Sequence, residues 1–169
     1  MKQRWALVIL GAWVMGSVCM SLVATQNFYT VDRLLASPHP GLAVSVQKLG
    51  QPAARDLLRY LSSELNRLYF QMWNVAQIVL GGAAWWLVRD RRARAAKGIL
   101  AMLAIVVLML VYLTPAIVSL GRELDFVPRD PEPPGMSRFW ILHAAYTSLE
   151  MLKLASGLVV AGLIARDSR

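Results

Sequence analysis

Cysteine occurs once and histidine twice in the 169-residue chain, and acidic side chains are outnumbered by basic ones, 10 against 18. With Cys19 alone, neither an intrachain disulfide nor a cysteine-built metal site can form within one chain. His39 and His143 belong to no His-Glu-x-x-His or similar helix-borne motif, so no metal site is expected. Ser17, Ser21 and Ser156 have no paired base at a recognisable spacing, and no Gly-rich loop is placed to cradle a phosphate. These absences point away from an enzyme. The basic excess has no binding fold or aromatic interleaving beside it, so nucleic acid is not an expected partner.

What is abundant is apolar surface. Hydrophobic residues make up 57% of the chain and the mean hydropathy is +0.47, too apolar for an ordinary water-soluble domain. The apolar residues gather in four windows, 5–25, 68–88, 98–120 and 139–165, each long enough to cross a hydrocarbon core of about 30 Å. Backbone groups in lipid must be satisfied within their own segment, so all four windows are expected to be helices. The fold class predicted is all-α: a single domain over 1–169, built as a four-transmembrane-helix bundle.

The first window has signal-peptide features, with Lys2 and Arg4 ahead of the apolar run and small residues near Ala24. Its length, and Trp13, Met15 and Met20 within it, favour a retained span. Cys19 lacks the Gly or Ala before it that a lipoprotein site needs.

The N-terminal tail, the 89–97 loop and the 166–169 tail together carry nine Lys or Arg against two acids, Asp90 and Asp167. The opposite side carries eight against seven. The positive-inside rule then places both termini and the basic loop in the cytoplasm, of the inner membrane in a bacterium. On the outer side, Ser37, Pro38, Pro40 and Gly41 break any helix. From Pro52, leucines recurring every three or four residues opposite Arg55, Arg59 and Ser63 predict an amphipathic helix over 52–67, lying on the outer surface before the second span. The Pro-rich segment after Gly121 reads as a semi-rigid connector with no calcium-loop spacing.

Polar residues inside the windows are the candidate site. His143, Tyr146, Glu150, Lys153 and Gly157 follow one another at steps of three and four, within an arc of roughly 80° on a helix. Asn74, Gln77 and Gly81 form a second line on the second window. Two polar lines in lipid are expected to meet, placing Asn74, Gln77, His143, Tyr146, Glu150 and Lys153 in one intramembrane cluster. Glu150 and Lys153, at i and i+3, can neutralise one another and fix the packing, or Glu150 can titrate on an ion, proton or solute path. The first helix offers Ala12/Gly16 and Ser17/Ser21 for close packing, and Pro115 is expected to free the carbonyl of Val111 and bend the third helix.

Gly11-Ala12-Trp13, the run from Glu64 to Phe70, and Phe139-Trp140-Ile141-Leu142-His143 with Tyr146 and Glu150 resemble the transmembrane-protein-205-like family, also called domain of unknown function 4149. The resemblance covers roughly residues 5–163. It implies a four-helix integral membrane protein without an assigned activity, and this chain departs from it at Glu150 and Met151, where family members often carry Asn-Leu. A wider similarity to small haem- or copper-binding membrane bundles would make His143 an axial ligand, with His39 or a second chain supplying the other. The leading expectation is a multi-pass, non-enzymatic membrane protein without a cofactor, with lipid as its surroundings and a homo-oligomer as one way to enclose a path. A proton-linked small transporter and a haem or copper redox component are the alternatives.

Overall fold

The computed structural model describes residues 1–90 and 92–166; Arg91 of the basic loop, and Asp167 and Arg169 of the tail, lie outside the described residues. Every element among the described residues is helical. These are α1 (Lys2–Ala36), α2 (Pro40–Leu49), α3 (Gln51–Val88), α4 (Ala93–Leu108), a π-turn over Met109–Leu113, α5 (Thr114–Glu123) and α6 (Met136–Arg166). Because α4, the π-turn and α5 run on as one rod, the fold is four long rods. Neighbours in sequence are neighbours in space: α1 packs on α3, α3 on α4, α4 on α6, and α6 back on α1. The helices α3 and α6 lie on the diagonal.

Among the described residues three rods, Lys2–Ala36, Ala93–Glu123 and Met136–Arg166, are long and apolar enough to cross a membrane. That is one fewer than the four apolar windows. The second window belongs to α3, where Gln71, Asn74 and Gln77 dilute the apolar run and the half before Leu68 is charged.

α3 also differs from expectation in shape. Its 38 residues form one uninterrupted helix, about 57 Å long at 1.5 Å per residue, with no turn between 67 and 68. The sequence supplies no reason for one: from Ala53 to Leu80 there is neither Pro nor Gly, and Leu, Arg, Glu and Gln are good helix formers. α1 likewise runs past its predicted end to Ala36, stopping where Ser37 precedes Pro38. The region expected only to break the helices holds a short one. Pro40 opens α2, and the His39 Nδ1 atom caps it by accepting from the Gly41 N–H at 3.2 Å. Gly50, at φ 84°, makes the one-residue link from α2 to α3, a backbone conformation open to glycine at little cost.

α1 and α3 form an antiparallel pair along their full length. Gly16 lies directly under the Trp73 ring, with no room for a Cβ. Towards the end of the bundle that carries α2, Asn27 Nδ2 donates to Asn66 Oδ1 at 2.6 Å, Asn66 Nδ2 to the Ala24 carbonyl at 3.0 Å, and Ser62 Oγ to the Asn27 carbonyl at 3.3 Å. Arg55 and Asp32 close this end at 2.8 Å. The other end of the bundle is sealed by apolar side chains, among them Ala6, Leu10, Val88, Ile99, Met102 and Ile164. At the helix ends beside it, the Arg89 guanidinium lies 3.5 Å from the centre of the Trp86 ring, a cation–π contact.

Candidate functional site

The polar line of α3 faces the bundle axis. Asn74 and Gln77 are fully buried, and Gly81 below them takes the Leu103 and Trp13 side chains where a Cβ would stand. The stripe of α6 turns to the same axis from the opposite corner. Glu150, Lys153 and Gly157 are buried, and Gly157 lets Val14 and Met102 pack against its backbone. The α3 and α6 backbones are not adjacent, so only long side chains can bridge the diagonal.

Lys153 does so. Its Nζ donates to Glu150 Oε2 at 2.7 Å and, across the axis, to Gln77 Oε1. The same Gln77 oxygen accepts from Trp13 Nε1 at 3.0 Å. Gln77 Nε2 donates in turn to Asn74 Oδ1 at 3.2 Å, and Asn74 Nδ2 to Thr114 Oγ1 at 3.0 Å. One connected network therefore draws on all four rods: Trp13 from α1, Asn74 and Gln77 from α3, Thr114 from the third rod, Glu150 and Lys153 from α6. The ammonium and carboxylate are each other's counter-charge, the arrangement a low-dielectric interior demands.

Four of the six expected residues, Asn74, Gln77, Glu150 and Lys153, meet in this network. Tyr146 is half-buried beside it with its ring edge-on to Phe70, 5.6 Å between centres. His143 is not brought in. Its side chain is exposed and stacks on Phe139 at 4.7 Å. The stripe thus fades towards the N-terminal end of α6, where neighbouring rods no longer close over it. A bis-histidine site would have to strip His39 from its cap on α2 and draw His143 off Phe139. No group of three or more His, Cys, Asp or Glu side chains among the described residues could hold a metal ion.

Trp13 and Thr114 were not expected in the site. Tryptophan on a membrane helix normally marks an interface, and Trp13 sits mid-window; a buried indole N–H there needs an acceptor, which is the signal that could have found it. Thr114 gets its place from the π-turn. Its N–H reaches back five residues to the Met109 carbonyl, so the irregularity expected from Pro115 is taken up as a π-turn that leaves the Thr114 hydroxyl within reach of Asn74. Two buried polar atoms near the α1–α3 contact, Ser17 Oγ and Trp73 Nε1, have no hydrogen-bond partner.

A second polar group lies nearer the α2 end of the bundle, between α3 and the loop after α5. Arg67 bonds Glu64 at 2.5 Å and pairs with Asp125 at 2.9 Å. Arg122 approaches the other Glu64 oxygen at 3.6 Å. The hydrogen bond from Arg67, aided by its charge and that of Arg122, holds the Glu64 carboxyl below the usual carboxylate range despite partial desolvation. Burial opposes the Arg67 charge, but its bonds to Asp125 and Glu64 outweigh that and raise its pKa. Beside this group a groove of about 310 Å³ runs between α3 and α5, lined by Glu64, Arg67, Gln71 and Arg122 with Leu68, Leu110, Pro115 and Val118; Thr114 forms part of its wall.

Comparison of the chain with protein-family models, with curated proteins and with solved structures returns no match in any of the three.

Proposed function

We propose that the chain is a four-span, N-in and C-in membrane bundle without enzymatic activity, in which the Trp13–Gln77–Lys153–Glu150 network locks the four rods in register. The observation that carries this reading is the position of Lys153: fully buried, neutralised by Glu150 on its own helix and bonded to Gln77 on the diagonal helix. Two like-sized apolar residues would fill the same space, but they would not select one rotation of α6 about its axis. Four spans are counted because α3 packs on two of the apolar rods, with Asn74, Gln77, Gly81, Ala84 and Val88 of the 68–88 window buried. Leaving that window in water would expose its lipid-facing Met72, Val75 and Val79. The charge asymmetry of the connecting segments sets the orientation. In the same reading the 51–67 half of α3 continues outward as a straight stem with the end of α1, in place of an interfacial helix. The resemblance to the transmembrane-protein-205-like family is kept as part of this proposal.

A second reading is favoured by Thr114, which belongs both to the outer groove and to the network. It is a solute or ion site that reaches Glu150 from the outside, with no exit through the apolar inner half. Glu150→Gln separates the two. The structural role predicts a lower unfolding temperature in detergent as the main effect. A transport role predicts lost proton or solute flux in liposomes at unchanged stability.

A further inference from the structure

The outer groove has a charged rim of which one member, Arg122, is only loosely engaged by the bundle's own packing. Arg67 is held on both sides by carboxylates, with its Nη2 against Gly121, where an added Cβ would stand 3.2 Å away. It is a fixed part of the wall. Arg122 is different: its side chain is 62% exposed, and it meets Glu64 only at 3.6 Å, longer than a hydrogen bond. The rim therefore presents one accessible guanidinium and one carboxylate oxygen side by side. One helical turn inward from Arg67, Gln71 is exposed with its amide; Leu68 lies between the two, Val118 stands one turn inward from Arg122, and Leu110 lies deeper than Gln71.

We propose that this groove holds a zwitterionic phospholipid with a primary-amine headgroup, its phosphate on Arg122 and its ammonium on Glu64. The inference rests on the four-span reading, which sets Glu64 and Arg122 at the level of the outer headgroups, Leu68 and Val118 just below them and Leu110 at the level of the acyl chains. An ester carbonyl lies about one helical turn deeper than the phosphate, the depth of the Gln71 amide. Phosphatidylglycerol can set its one anion on Arg122, but its neutral glycerol headgroup gives the Glu64 carboxylate no counter-charge. A quaternary choline offers no N–H to the carboxylate, so its contact lacks the charge-assisted hydrogen bond a primary ammonium makes. A groove of about 310 Å³ is at the small end of ligand sites, suited to a headgroup and the first chain carbons, with the rest of the chains in the bilayer. The apolar inner lining is of no use to a free headgroup, which separates this occupant from a soluble amino-phosphate.

The test is native mass spectrometry of the full-length protein released from detergent with an equimolar mixture of phosphatidylethanolamine, phosphatidylcholine and phosphatidylglycerol. The expected result is one retained lipid with phosphatidylethanolamine preferred on the order of tenfold, the effect of one charge-assisted hydrogen bond. Arg122→Gln and Glu64→Gln should each remove the preference, and Arg59→Gln, outside the groove, should keep it. Since Glu64 also holds Arg67, the exposed Arg122 variant is decisive if Glu64→Gln fails to fold. Equal retention of the three lipids, preference for phosphatidylglycerol, an unchanged preference in Arg122→Gln, or displacement by millimolar soluble phosphoethanolamine would each overturn the proposal. Topology is read separately, by labelling single cysteines at positions 59 and 94 of a Cys19→Ser chain in sealed, right-side-out vesicles with an impermeant thiol reagent. Labelling at 59 alone supports the four-span reading whatever the lipid result. Labelling at both or only at 94 removes the basis for both.

Discussion

The Oε1 atom of Gln77 accepts from the Trp13 indole and from the Lys153 ammonium, while its amide nitrogen serves Asn74. Removing this side chain strands the Trp13 indole N–H and the Asn74 amide oxygen and takes one of two bonds from Lys153, which keeps Glu150. Gln77→Leu should therefore cost roughly 3 kcal/mol or more, at about 1–3 kcal/mol for each unsatisfied group, read as unfolding in detergent. Trp13→Phe removes one donor and leaves Gln77 bonded to Lys153, so a loss of about 1 kcal/mol is expected in the same assay. Much of the network was legible at this scale, because amides and charges in lipid-length windows are costly unless they meet. Asn74, Gln77, Glu150 and Lys153 announced themselves in that way. Trp13 did not, since an indole reads first as apolar surface. His143 shares the angular position of Glu150 on α6, and helical phase carries no information about where the neighbouring rods stop covering the stripe.

Among the helices, packing depends on where a rod has no side chain. Gly16 sits under Trp73, whereas Gly11, little more than a turn earlier on α1, has nothing within 4 Å of where its Cβ would be. Gly16→Leu should push α3 away and sharply lower the yield of folded protein, while Gly11→Leu should leave the unfolding temperature nearly unchanged. Equal effects of the two would mean that α1 and α3 pair through another face. The four helical windows were legible from hydropathy alone, and the small residues of α1 signalled a close neighbour. The continuity of α3 was readable in principle from its lack of Pro and Gly. The switch from charged to apolar residues at Leu68 suggested a turn because it marks a change of surroundings, and such a change need not bend the backbone. The π-turn is a case where sequence indicated the cause, Pro115, and left the form of the response to the packing around Thr114.

Over the whole molecule, stabilising polar interactions occur at two depths, and they respond to different conditions. At the α2 end of the bundle the folded-state pKa of Glu64 lies below its unfolded value, so its ion pairing adds stability at neutral pH. That contribution falls away as the pH drops through the carboxylate range and on through the depressed value. The unfolding temperatures of the parent and of Glu64→Gln should converge under acid and separate towards neutrality. The gap should be modest, because the carboxylate is partly exposed and screened. The buried pair deeper in the bundle is shielded from salt, and in the proposed reading what it contributes is specificity of packing. The central claim is that Glu150 and Lys153 act as one neutral unit in a closed bundle, and a double-mutant cycle of Glu150→Gln and Lys153→Met, followed by unfolding in detergent, tests it most directly. The account predicts that Lys153→Met, which leaves the carboxylate unpaired, costs about 3–5 kcal/mol, that Glu150→Gln is also destabilising, and that the double variant recovers much of the loss. Additive losses, or single variants as stable as the parent, would contradict it.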